Sequence, residues 1–120
     1  MDTQLISDKE AKAQRDSLLQ TELSRYLKLI KQYYKPYKIY LFGSMAAGTT
    51  NRWSDLDMVI VADTKERFLE RTRQVMTLLR PRIGLDILVY TPEEFAQMRE
   101  DRTFMQSEII EKGRLLYERS

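Results

Sequence analysis

The sequence predicts an α/β (α+β) domain: a small mixed β-sheet with helices packed on one face. Two observations carry this. Short apolar strands alternate with helical periodicities in the order α-β-(short α)-β-α-β-α, an interleaving that builds layered architectures. The 120 residues, 42% hydrophobic and 32% charged, match one domain with one core and are too few for two. Residues 1–120 are therefore read as a single unit.

Residues 8–34 read as a long helix. Ser7 or Asp8 can cap it, and Glu10 follows Ser7 at capping-box spacing. Leu19, Leu23, Tyr26, Leu27, Ile30 and Tyr34 recur at helical spacing. The opening turns are nearly all polar, so residues 1–17 can project into solvent or fray. Pro36 stops simple continuation. Lys38 to Phe42 is a short strand, broken by Gly43-Ser44, and Met45-Ala46-Ala47 can start a helical turn. Asn51 to Ser54 is a loop and Asp55 to Val61 a second strand. Thr64 to Arg80 reads as a helix with Thr64 as cap, Phe68, Thr72, Val75 and Leu79 on one face, and Pro81 ending it. Leu85 to Tyr90 is a third strand. Thr91-Pro92-Glu93-Glu94 combines a cap, a first-turn proline and first-turn acids, a strong helix start. One or two helices then reach Lys112, Gly113 caps them, and Leu115-Leu116-Tyr117 is a short apolar tail.

Composition excludes several chemistries. There is no cysteine and no histidine, which removes disulfides, thiolate nucleophiles, Ser-His-Asp catalysis and His- or Cys-ligated metals. Catalysis must rest on carboxylates, hydroxyls, Lys, Arg, Tyr and hard metals. Twenty basic against 18 acidic residues leave a net charge of +2, no strong pull toward nucleic acid or a membrane surface. The longest apolar run, Met58 to Ala62, is far below the roughly 20 residues of a membrane span. Met1-Asp-Thr-Gln lacks the basic start and apolar stretch of a signal peptide. The expected setting is cytoplasmic, without direct nucleic-acid or membrane partners.

Side chains alternate across a strand, so Asp55, Asp57, Val59 and Val61 share one face while Leu56, Met58 and Ile60 face a core. The two carboxylates start that strand about 6.6 Å apart. In the third strand Leu85, Ile87 and Val89 form a core face, and Asp86 points the other way with Leu88 and Tyr90. If the strands are neighbours, three carboxylates converge. Unaccompanied, they would repel, and one would take a proton. A hard divalent cation relieves this, and two Mg²⁺ ions about 3.5–4 Å apart can clamp an in-line nucleotidyl displacement. Asp57 then bridges the ions, Asp55 completes the nucleotide-side one, and Asp86 holds the second and serves as general base. Gly43 lets the backbone turn and approach a phosphate, Ser44 with the following N–H groups suits the β/γ-phosphates, and Gly48 permits a tight loop.

The segment Leu41-Phe-Gly-Ser-Met-Ala-Ala-Gly-Thr-Thr-Asn-Arg-Trp-Ser-Asp-Leu-Asp-Met-Val-Ile-Val resembles the signature of the DNA polymerase beta-like nucleotidyltransferase superfamily. Leu85-Asp86-Ile87-Leu88-Val89 matches its third acidic motif. The size and the closing Gly-Arg-Leu-Leu-Tyr-Glu look most like the small stand-alone members called MNT proteins; the resemblance covers roughly residues 20–118. It implies the nucleotidyltransferase fold, triphosphate binding by Gly43 and Ser44, metal binding by Asp55, Asp57 and Asp86, and ATP as donor. Many small relatives carry Arg where this chain has Ala47; Arg52 is the candidate substitute.

Other features have structural readings. Tyr26, Tyr33, Tyr34, Tyr37 and Tyr40 could stack nucleobases, but this spacing fits core edges or an interface better. Trp53 can pack under its loop or touch a substrate, and packing is the favoured expectation. Arg67, Arg71, Arg73, Arg80 and Arg82 read as a solvated helix face, with partner docking as the second reading. Larger relatives append an acceptor-binding helical domain, for which this chain has no room, so the acceptor site must come from a second subunit or the substrate itself. MNT proteins are commonly antitoxins paired with HEPN RNase toxins and attach AMP to a toxin tyrosine. The resemblance thus implies Mg²⁺-dependent NMP transfer to a partner hydroxyl. The alternatives are a non-catalytic binding antitoxin and a small-molecule, aminoglycoside-type nucleotidyltransferase acting as a homo-oligomer.

Overall fold

The computed structural model describes residues 6–120. One mixed four-stranded sheet organises them, in the order β3-β2-β1-β4. Its strands are β1 (Lys38–Phe42), β2 (Leu56–Val61), β3 (Leu85–Tyr90) and β4 (Arg114–Glu118). Strands β2 and β3 run parallel, which requires a crossover; α3 (Phe68–Leu79) supplies it. Strand β1 is antiparallel to both β2 and β4.

The residues read as an apolar tail form β4, which pairs with β1. Its pattern is weak because it is an edge strand, with Leu115 exposed and Leu116 and Tyr117 only half-buried. Gly113 lets the chain enter that pairing: a β-carbon there would lie 2.3 Å from Ile109 O and 2.9 Å from Leu41 O.

Helix α1 (Asp8–Tyr33) starts at Ser7, whose hydroxyl accepts from the Glu10 amide at 3.1 Å. Leu19, Leu23, Tyr26 and Ile30 are buried against Leu56, Met58 and Ile60 and against Val75 and Leu79 of α3. Residues 1–5 of the projecting or frayed start lie outside the described residues. From Asp8 onward the helix is continuous, Ala11 is buried, and the Arg15 guanidinium donates to Ser54 O at 2.7 Å.

One core position on α1 is charged. Glu22 is fully buried, and its carboxylate accepts from Arg25 at 2.8 and 2.9 Å, the Tyr26 hydroxyl at 3.0 Å and the Arg82 amide at 2.9 Å. Arg25 also donates to Leu79 O and Arg80 O at the C-terminal end of α3. This grouping ties α1 to the end of α3, and the Arg25 bond, outweighing burial, holds Glu22 down at about 2.

Helix α3 begins later than its apolar spacing suggests. Thr64 accepts from the Glu66 amide in the preceding turn, and Arg67 is the N-cap residue. The arginine run is not uniformly solvated either. Arg71 is buried, donating to Glu94 at 2.6 Å and to Val89 O at 3.2 Å, and so joins α3, β3 and α4 (Pro92–Asp101). Thr91 and Glu94 close a reciprocal capping box at the start of α4.

Helices α1 and α3 cover one sheet face, as expected. The opposite face is covered too, over part of its length: Phe95 of α4 and Met105 and Ile109 of α5 (Met105–Glu111, π-helical) pack on Tyr40, Val59 and Val61. No helix among the described residues is long and apolar enough to cross a membrane.

Candidate active site

The parallel register of β2 and β3 sets Asp57 directly beside Asp86, and Val59 beside Leu88. Parallel partners project to the same side, so the two carboxylates share the face opposite α1 and α3, at the end that α4 and α5 leave open. Asp86 lies close enough to act directly on the Asp57 carboxyl group. Burial, then Asp86, then the charge of Asp55, push Asp57 up to about 6. A carboxylate pair that retains a proton at mildly acidic pH is short of positive charge. That donor set suits a hard divalent cation.

Strand β1 runs the opposite way and delivers its end to the same place. Phe42 pairs with Asp57, and Gly43 follows at φ +75°. A β-carbon on Gly43 would lie 2.2 Å from Asp57 Oδ2, so only glycine lets the backbone pass. Ser44 then sits half-buried in the short helix α2 (Gly43–Ala47), whose N-terminus has no side-chain cap. Gly48 closes α2 at φ +74°.

Asp55 behaves differently. It precedes β2 and is exposed, and its Oδ1 accepts from Arg15 Nη2 at 2.9 Å. Its carboxyl group lies over Gly84, where a β-carbon would come within 2.4 Å. Among the described residues no three acidic side chains are drawn together as a ready cation cage. The fold brings Asp57 and Asp86 together with Gly43 and Ser44, and turns Asp55 toward Arg15.

Arg15 escaped the sequence reading because it lies in the polar opening of α1. A signal existed: Ala11, Arg15, Leu19, Glu22 and Tyr26 continue one helical stripe, and both charged members are structural partners. Arg52 does not turn to the phosphate side: it pairs with Asp8 at 3.5 Å and lies over the Trp53 ring. Trp53 does not pack under its loop but is 77% exposed. The tyrosines are dispersed; Tyr26 and Tyr40 are core, Tyr33 is exposed, and Tyr37 donates to Asp63 at 2.6 Å.

The family model described as polymerase beta, nucleotidyltransferase matches residues 8–120. No curated protein matches significantly by sequence. Among solved structures, the chain resembles a protein assigned as a nucleotidyltransferase from Sulfolobus solfataricus, with TM-score 0.56, 18% identity and coverage of 99% of this chain and 94% of the other. That likeness concerns the fold. A toxin–antitoxin structure with AMP-PNP aligns with TM-score 0.54 at 25% identity, over 81% of this chain and 73% of the other.

Proposed function

The chain belongs to the polymerase beta nucleotidyltransferase family, and from that premise we propose that it transfers NMP, AMP from ATP in the leading case, to a tyrosine hydroxyl of a HEPN-type toxin and so acts as its antitoxin. One observation carries the reading: Asp57 and Asp86 stand side by side on parallel strands, with Gly43-Ser44 delivered against them. The toxin–antitoxin structure with AMP-PNP supports the choice of nucleotide and partner class.

Asp55, Asp57 and Asp86 would hold two Mg²⁺ ions, which when bound supply charge neutralisation at the α-phosphate and the attacking oxygen. Ser44 and the first-turn amides of α2 hold the β/γ-phosphates; Gly43 allows the approach. The acceptor oxygen attacks the α-phosphorus, pyrophosphate leaves, and the hydroxyl proton passes to Asp86. A docked partner would hold the acceptor, since positioning is worth up to about 7–11 kcal/mol in well-oriented systems. The setting would be cytoplasmic.

The test is intact mass of a helical RNase encoded beside this gene, mixed with the chain, ATP and Mg²⁺. The partner should gain one or more AMP masses while its RNase activity falls. Equal inhibition by Asp57→Asn with no mass gain would favour a binding antitoxin; AMP on an aminoglycoside but not on the protein would favour the small-molecule enzyme.

A further inference from the structure

Asp55 is a carboxylate gripped on one side. Arg15 Nε donates to Ser54 O at 2.7 Å, and Nη2 of the same guanidinium donates to Asp55 Oδ1 at 2.9 Å. The two acceptors are consecutive residues at the entry to β2. A planar guanidinium satisfied at both fixes the backbone and the carboxylate together. Arg15 itself is held: its side chain is only 22% exposed and rises from a continuous helix. The neighbouring Asp16 accepts from Thr50 at 2.5 Å, a second tie between α1 and the loop that carries Asp55.

The remaining contacts of Asp55 narrow its freedom further. Its carboxyl group rests over Gly84, the residue before β3, where any β-carbon would collide with it. The Leu56 amide donates to Gly84 O at 3.1 Å, which locks the entries of β2 and β3 side by side. Asp55 thus sits between a guanidinium and a bare backbone. A carboxylate has about four lone-pair sites, and Arg15 occupies one on Oδ1, so Oδ2 stays available.

We propose that Arg15 is a positioning residue that clamps Asp55 through Oδ1 and so fixes a carboxylate that would serve, with Asp57, as a ligand for a divalent cation. This rests on the reading of Asp55, Asp57 and Asp86 as metal ligands. It assigns to a helix preceding the Gly-Ser motif a role in the metal centre. Partners that orient ligating groups commonly change metal affinity about 10–100-fold when removed. Arg15 carries a positive charge, so its removal would raise cation affinity if electrostatics alone mattered. The clamp predicts the opposite sign.

The experiment is Mn²⁺ titration of the nucleotide-free chain, by calorimetry and by quenching of Trp53, the one tryptophan of the sequence and two residues from Asp55. Wild type, Arg15→Met, Arg15→Lys and Asp57→Asn are compared, with thermal unfolding to establish that each is folded. Arg15→Met should weaken Mn²⁺ binding about tenfold. Arg15→Lys should recover only part of it, since one ammonium cannot span both acceptors. Stronger or unchanged binding in folded Arg15→Met would overturn the clamp while leaving the metal reading intact. Wild type that binds no Mn²⁺, or binds it equally with Asp57→Asn, would overturn the metal reading and the clamp with it.

Discussion

Gly43 and Asp57 are in direct contact: a β-carbon on Gly43 would stand 2.2 Å from Asp57 Oδ2. Gly43 and Gly48 share nearly the same φ, +75° and +74°, but nothing lies within 4 Å of a β-carbon at Gly48. Alanine at either site meets the left-handed penalty, about 1–2 kcal/mol. Only Gly43→Ala should also displace Asp57. Both variants should lose stability in urea melts, Gly43→Ala the more, while Mn²⁺ affinity falls at least about tenfold in Gly43→Ala alone. Equal affinities in the two would show that the contact has no role at the site.

Asp57→Asn should make the metal-free protein more stable at pH 8. Burial and Asp86 raise the Asp57 carboxyl from 3.8 to about 6, so the folded state binds its proton more tightly than the unfolded state does. The associated stability is present below 3.8 and lost as pH rises through about 6. Asparagine cannot ionise, and the gain should be about 1–2 kcal/mol after allowing for partial exposure. Urea unfolding in EDTA should show the difference shrinking to nothing by pH 4. A gap that widens toward low pH would contradict the assignment.

Ser44→Ala should leave the fold unchanged and weaken nucleotide binding. A hydrogen bond to a charged group is worth about 1.5–3 kcal/mol, so Mg-ATP affinity should drop by about tenfold or more in calorimetry. An unchanged affinity would remove Ser44 from the phosphate site.

Glu22→Gln should destabilise the fold by about 2–3 kcal/mol at neutral pH, because Arg25 loses its buried counter-charge and α1 loses its tie to the end of α3. Arg25 holds the Glu22 carboxyl down from 4.5 to about 2. Its contribution is therefore complete above 4.5 and lost as pH falls toward 2. Wild-type and variant unfolding free energies should converge over that interval.

The strand pattern that places the acidic side chains was more legible than the packing around it. Strands β1, β2 and β3 and the alternation that sets Asp57 and Asp86 on one face follow from period-two patterning, which is local. Strand β4 was not legible, because its pairing with β1 joins residues far apart in sequence and its edge position leaves it half-polar. Arg15, Glu22 and Arg71 share one cause. Each is a charged residue on a buried stripe, and a periodicity of apolar residues passes over it, although its place on the stripe was readable. Trp53 shows the reverse: its residue type favours packing, whereas its short loop leaves it 77% exposed.

Nucleotidyl transfer is tested most directly by following the two ends of ATP separately. The chain and its partner are incubated with Mg²⁺ and ATP labelled at either the α- or the γ-phosphate. The α-label should become covalently attached to the partner and the γ-label should leave as pyrophosphate, with both reactions abolished by Asp57→Asn or EDTA. Transfer of γ-label to the partner, or attachment of α-label undiminished in Asp57→Asn, would contradict this expectation.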